Sequence, residues 1–296
     1  MLLRVVHETR YRYRPRARTA QHLAHLRPVD DARQQLLRHQ LSIAPVPALQ
    51  SESRDSHGNH RSFFSLPAEH DSLAVVAESV VRTSAPPEPA GDCGWEETAE
   101  RMRYRRGGAW DPASEFIFAS PQVPRDHSFA DYARASFAPG GSLRDGALDL
   151  MHRIHADFAY ATDATDVSTS ALEALALRRG VCQDFAHVML GCLRSLGLPA
   201  RYVSGYLLTS PPPGRPRLVG ADASHAWVSV YLPAADGPGA WSELDPTNDR
   251  APGEDYVLLA VGRDYADVAP LRGILHGGAD HRLDVAVTVE PLDEPP

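Results

Sequence analysis

The stretch from Cys182 to Pro246 leaves the chain few folds to choose from. It reads as one amphipathic helix followed by three strands. Phe185, Met189, Cys192, Leu193 and Leu196 fall at i, i+4, i+7, i+8 and i+11, one apolar helical face. ARYVSGYLL from Ala200, SHAWVSVYL from Ser224 and AWSELDP from Ala240 follow as strands. Helices also precede this stretch. HSFADYARASF from His127 is one. Leu143, Ala147, Leu150, Met151, Ile154 and Phe158 form the stripe of a second, which Ser142 can cap. TSALEALALRRG is a third, ended by Gly180. RLDVAVTVE from Arg282 reads as a last strand. Helices followed by strands predict an α+β domain over residues 111–296.

The N-terminal part reads as β. LLRVVHETRYRY and DSLAVVAESVVRT have strand character, and RQQLLRHQLSIAP is a candidate strand whose Gln and Leu content also suits a helix. HGN at His57 to Asn59 marks a hairpin turn between SESRDS and HRSFFSL. Short strands separated by turns predict a sandwich-like β domain over residues 1–85. The Pro- and Gly-rich APPEPAGDCG that follows predicts a linker over 86–110, with Cys93 incidental within it.

Bulk properties exclude several function classes. The net charge of −8 argues against a nucleic-acid or anionic-membrane partner. Arg10, Arg12, Arg14, Arg16 and Arg18 alternate with other residues, which fits one solvated strand face. None of the three cysteines, Cys93, Cys182 and Cys192, forms a CxxC pair, so a zinc or dithiol site is not expected. His152 and His155 read as a solvated polar face, and no metal or cofactor is expected. The N-terminus is too charged for a secretory signal, and no apolar run approaches the roughly 18 residues of a membrane span. The expectation is a soluble, cytoplasmic protein, with its oligomeric state left open.

The two helical cysteines differ in placement. Cys192 belongs to the apolar face and reads as a small buried hydrophobe. Cys182 opens the helix, where unpaired N–H groups and the dipole favour an anion such as a thiolate. A thiol nucleophile also needs a base and a group that orients it. On the strand from Ser224, His225 shares a face with Trp227, Ser229 and Tyr231. On the next strand, Asp245 shares a face with Trp241 and Glu243. A hairpin register in which paired numbers sum to about 470 sets His225 opposite Asp245; an even sum one step away makes them diagonal neighbours. Pro246 ends the strand, which places Asp245 at an edge or mouth. Asp184, at the helix's first turn, reads as structural. His187, five residues after Cys182, turns away from it and reads as packing or surface. Thr247 and Asn248 read as turn residues.

GVCQDFAHVMLGCLRSLGLPARYVSGYL, SHAWVSVYL and WSELDPTN together resemble the transglutaminase-like superfamily, relatives of the papain-type thiol enzymes, from about Tyr160 to Asn248. The β-rich part resembles the N-terminal region that precedes this domain in many bacterial members. The resemblance implies a Cys-bearing helix packed on an antiparallel sheet that bears His and Asp. It implies Cys182 as nucleophile, His225 as general base and acid, and Asp245 as orienter. Trp227 and Tyr160 are candidates for the substrate wall, Trp227 with a competing place in the core. The Cys182 N–H and Tyr160 are candidate oxyanion donors. The implied reaction is acyl transfer from an amide of a peptide or protein through a thioester. Hydrolysis is preferred here, because no EF-hand spacing is seen. Transfer to an amine and a non-catalytic peptide-binding module are the alternatives.

Overall fold

The computed structural model describes residues 1–86, 93–107, 110–209, 224–234, 239–278 and 280–294. Residues 87–92 and 108–109 of the expected linker 86–110, residues 235–238 between the two strands expected to form a hairpin, and the loop 210–223, expected over the site or the surface, lie outside the described residues.

Five strands open the chain: β1 (Leu2–Ala24), β2 (Gln34–Ala44), β3 (Leu49–Arg54), β4 (His60–Leu66) and β5 (His70–Thr83). β1 is the spine of their sheet. Leu3, Val5, His7 and Thr9 alternate inward along it, as period two requires. Its register shifts between Arg12 and Ala17, so its two halves serve different neighbours. β3 and β4 close the expected hairpin, whose turn is braced by Asp55. The ambiguous second segment is a strand, β2, paired with β5.

The chain continues through α1 (Trp95–Met102), α2 (His127–Ala133), α3 (Leu143–Asp157), β6 (Ala159–Tyr160), α4 (Ala171–Leu177), β7 (Arg179–Gly180) and α5 (Cys182–Ser195). β8 (Ala200–Leu207), β9 (Ser224–Leu232), β10 (Ala240–Leu244), β11 (Tyr256–Gly262), α6 (Tyr265–Val268), β12 (Leu271–Gly277) and β13 (Asp280–Pro291) complete it. Ser142 caps α3 through the Asp145 N–H at 2.9 Å, as expected. α4 ends two residues earlier than the sequence suggests. Arg178, not Gly180, takes the left-handed cap, at φ 52°. α1 lies inside the segment expected to be a linker; its buried Thr98 and Met102 anchor it.

β8, β9, β10 and β11 form an antiparallel sheet in the order β10-β9-β8-β11. α5 packs on one face of it. Phe185, Val188, Met189 and Leu193 of α5 join Leu150 and Ile154 of α3 and Ala226, Val228 and Val230 of β9 in one buried cluster. Each large aliphatic or aromatic side chain buried there contributes about 1.5–3 kcal/mol. No helix among the described residues is long and apolar enough to cross a membrane.

One domain boundary needs correction. The last two strands do not belong to the 111–296 domain as expected. β12 and β13 pair with the C- and N-terminal halves of β1 and complete the N-terminal sheet. Val287 and Val289 of β13 pack with Leu3, Val5 and Val81, and with Tyr206, Val257 and Leu259 of the second sheet. The two sheets therefore share a core. Two amide side chains also cap the open edge strand β11. Gln34 donates to the Leu258 carbonyl at 2.7 Å and accepts from its N–H at 2.8 Å. Asn59 does the same at Val261, at 2.7 and 2.8 Å. Each amide replaces one residue of a missing neighbour strand and closes an edge that would otherwise be free to pair.

Candidate active site

α5 begins at Cys182, whose N–H falls in the first turn, outside the i→i−4 ladder. Asp184 fixes that turn. Its carboxylate accepts from the Val181 N–H at 2.7 Å and from the Thr165 hydroxyl at 2.6 Å. Burial pushes its carboxyl up, against those hydrogen bonds. A Cβ on Gly180 would lie 2.3 Å from the Asp184 carboxylate, so only glycine admits this approach. Asp184 thus has the structural role read from sequence. Cys192 is fully buried, and burial pushes its thiol up, away from reactivity. His187 is also fully buried. Its Nε2 accepts from the Tyr265 N–H at 3.2 Å, and burial pulls the ring down to about 3, so it is a neutral packing residue. Cys93 lies 3.0 Å from the Thr98 hydroxyl, away from this site.

His225 stands at the start of β9. The β9–β10 register pairs residues whose numbers sum to 472, as in Glu243 with Ser229. That makes His225 and Asp245 the diagonal neighbours anticipated, and the His225 Nε2–H donates to Asp245 Oδ2 at 2.7 Å. Nδ1 is the ring nitrogen left over, and Cys182 at the start of α5 is close enough for its side chain and charge to act on the ring. Burial alone would pull this imidazole down. The hydrogen bonds and charges of Asp245 and Cys182 outweigh it and push the ring up to about 10. The three side chains read from sequence therefore converge.

Of the expected edge or mouth, Asp245 takes the edge: it follows the edge strand β10, but it is fully buried rather than at a mouth. A buried carboxylate needs donors on both oxygens. Oδ1 accepts from the backbone N–H groups of Thr247 and Asn248 at 2.9 and 3.2 Å. Oδ2 accepts from His225, from Asn248 Nδ2 at 2.7 Å and from the Tyr256 hydroxyl at 2.7 Å. Burial raises the carboxyl, and these donors, led by His225, hold it below the ordinary value. The 245–250 turn is tied to α3 as well. His152 pairs with Asp249, and His155 Nδ1 donates to the Thr247 carbonyl at 3.0 Å. The two histidines read as a plain solvated face are exposed, yet they brace this turn.

Trp227 needs correction as a wall residue. It is fully buried, and its ring stacks on His225 with centroids 6.0 Å apart. It supports the imidazole from below and cannot meet a substrate. Gly205 makes room: a Cβ there would lie 2.4 Å from the indole. Tyr160 is different. β6 pairs with β7 in parallel and sets Tyr160 beside Gly180, two residues before Cys182. The residue is 58% exposed, and partial burial together with the Cys182 charge raises its phenol. An exposed tyrosine beside the sulfur can line a substrate path. Sequence reasoning assigned no site role to Tyr256 and saw Asn248 only as a turn residue. Asn248 was findable as the next polar side chain after Asp-Pro; nothing local marked Tyr256.

Comparisons with known proteins bear on the family and the fold. Residues 3–82 match the bacterial transglutaminase-like N-terminal region, and residues 130–246 match the transglutaminase-like superfamily core. An uncharacterised protein of Mycobacterium tuberculosis is 40% identical over 296 residues, covering 98% of this chain and 93% of the relative. A protein-glutamine gamma-glutamyltransferase of Pseudomonas aeruginosa is 30% identical over 181 residues, 57% of this chain and 26% of that protein. The crystal structure of a candidate cysteine protease from Cytophaga hutchinsonii has the same fold, with a TM-score of 0.75 at 20% identity, covering 100% of this chain and 92% of that one.

Proposed function

Because this chain belongs to the transglutaminase-like superfamily, whose fold serves thiol-based acyl transfer, we propose that it cleaves amide bonds of peptides or proteins with Cys182 as nucleophile. The observation that carries this reading is the His225 imidazole held between Asp245 and the Cys182 thiol. A ring pushed up to about 10 is charged at neutral pH, and the attacking form of the site is a Cys182 thiolate beside this charged ring. Sγ then attacks the carbonyl carbon, and a tetrahedral oxyanion forms near the Cys182 N–H. The C–N bond breaks, and His225 Nδ1 gives its proton to the departing amine. The thioester is released by water, from which His225 takes the proton back. Asp245 keeps Nε2 protonated throughout and so keeps Nδ1 aimed at the sulfur.

Water is the preferred acceptor because the site is open. Cys182 is only half-buried and its neighbour Tyr160 is exposed, so solvent reaches the acyl group. A second reading, transfer to an amine, is favoured by the likeness to the Pseudomonas glutamyltransferase. Mass spectrometry of a glutamine- and amide-containing peptide library, incubated with and without a primary amine, separates the two. Hydrolysis gives acid products whose yield the amine leaves unchanged. Amide products that replace the acids once amine is present would overturn the preference. Absence of both products, with Cys182 alkylated no faster than a free cysteine, leaves a binding module.

A further inference from the structure

Asp245 Oδ2 accepts three hydrogen bonds of equal length, 2.7 Å each, from His225, Asn248 and Tyr256. The Asn248 amide nitrogen also lies 3.2 Å from His225 Nε2. Two donors cannot bond one another, so Asn248 belongs to the carboxylate. An oxygen shared three ways offers each donor less charge than an oxygen that serves one. Tyr256 is the most buried of the three partners. It is 1% exposed and opens β11. Trp227 meets its ring edge-on at 5.3 Å, the Arg250 guanidinium covers it at 4.7 Å, and the His225 ring lies 6.0 Å away. A carboxylate only accepts, so this hydroxyl must donate to it. Burial and the Asp245 charge raise the phenol, which keeps it a donor at any working pH. The titratable and charged groups that face His225 are Cys182 on α5, Asp245 after β10 and Tyr256 on β11; Tyr256 in turn faces Arg250 and Asp255.

We propose that Tyr256 is a positioning residue of the relay: its hydroxyl holds the Asp245 oxygen that binds His225, draws off part of its charge, and so limits how tightly the imidazole keeps its proton. A ring that holds its proton too firmly is a poor acid toward the leaving amine. Nothing in the core's packing needs this hydroxyl. Phenylalanine at 256 would fill the same space beside Trp227 and Arg250. The inference rests on the acyl-transfer reading of the site, because the tuning matters only where His225 gives up a proton.

The test compares wild type with Tyr256→Phe, and with 3-fluorotyrosine incorporated at 256, whose more acidic phenol donates more strongly. The readouts are the NMR titration of 15N-labelled His225 and the pH profile of Cys182 alkylation by iodoacetamide. Tyr256→Phe is expected to raise the His225 midpoint by about half a pH unit or more, and the alkaline limb of alkylation with it. Fluorotyrosine is expected to move both the other way. If wild-type Cys182 reacts fast and both variants titrate as wild type does, the proposal is overturned and Tyr256 is merely structural. If the two variants shift in the same direction, disturbed packing explains them and the proposal also fails. Slow alkylation of wild-type Cys182 instead overturns the acyl-transfer reading itself. Should Tyr256→Phe fold poorly, the fluorotyrosine protein alone decides by the sign of its shift.

Discussion

Asparagine at 245 keeps the volume of the aspartate and removes its charge. The geometry makes the consequence specific. Five donors surround the carboxylate, and an amide offers one oxygen to them. If that oxygen turns toward the Thr247 and Asn248 N–H groups, the amide NH2 faces His225 Nε2. The ring can then bond it only by moving its proton to Nδ1, the nitrogen that must exchange a proton with sulfur. If the amide flips, two buried N–H groups lose their acceptor, at about 1–3 kcal/mol each. Either way the imidazolium loses its anion. The gap between the ordinary 6.5 and about 10 for His225 corresponds to about 5 kcal/mol of preference for the charged ring, which Asp245 and Cys182 supply together. Losing about half of it gives up to about a hundredfold less charged pair. A less stabilised thiolate is a better nucleophile and recovers part of the loss. The expected result for Asp245→Asn is therefore at least about a tenfold slower alkylation of Cys182 by iodoacetamide at pH 7. Intact-mass kinetics read it, with buried Cys192 as an unreactive internal reference. An alkylation rate within twofold of wild type from pH 6 to 8, in a variant with unchanged circular dichroism, would refute Asp245 as orienter.

Two further outcomes concern the fold that holds the site. Gln34→Ala removes both bonds to Leu258 and leaves a buried N–H and C=O unpaired; a cost of about 2–4 kcal/mol should lower the calorimetric Tm by about 5 °C or more, and an unchanged Tm would mean the edge of β11 needs no cap. Burial pulls His7 and His22 down to about 4 and His187 down to about 3. Their folded values lie below the ordinary 6.5, so the unfolded chain takes up protons first. Their contribution is whole above about pH 6.5 and declines as pH falls toward 4, by up to about 1.4 kcal/mol per pH unit for each ring. Urea midpoints measured from pH 7 to pH 4.5 should fall steadily; a flat series contradicts burial of three neutral imidazoles.

What the sequence revealed and what it hid follow from the range of the interactions. The candidate nucleophile could be singled out because a helix start and an apolar stripe are local features, and they separated Cys182 from the buried Cys192. His225 and Asp245 were legible because a hairpin converts sequence spacing into a register. The fate of β13 was not. RLDVAVTVE reads as a strand wherever it pairs, and only tertiary packing decides that β1 is its partner. Trp227 misled because one strand face holds both the imidazole and the aromatic ring beneath it. Tyr256 was silent for a related reason: it heads YVLLAVG, a run that looks like core throughout, and its hydroxyl acquires a partner only when β11 docks on β8. His152 and His155 carry an ordinary polar helical pattern, and the turn they brace is more than ninety residues away.

The most direct measurement is the capture of the acyl-enzyme. Wild-type protein mixed with an activated acyl ester, quenched in acid within milliseconds to seconds and digested, should carry the acyl group as a thioester on the Cys182 peptide. Cys182→Ala should carry none, and His225→Ala should acylate far more slowly at neutral pH. Acyl groups spread over Cys93 and surface lysines, with Cys182 unmodified, would contradict the assignment of Cys182 as nucleophile.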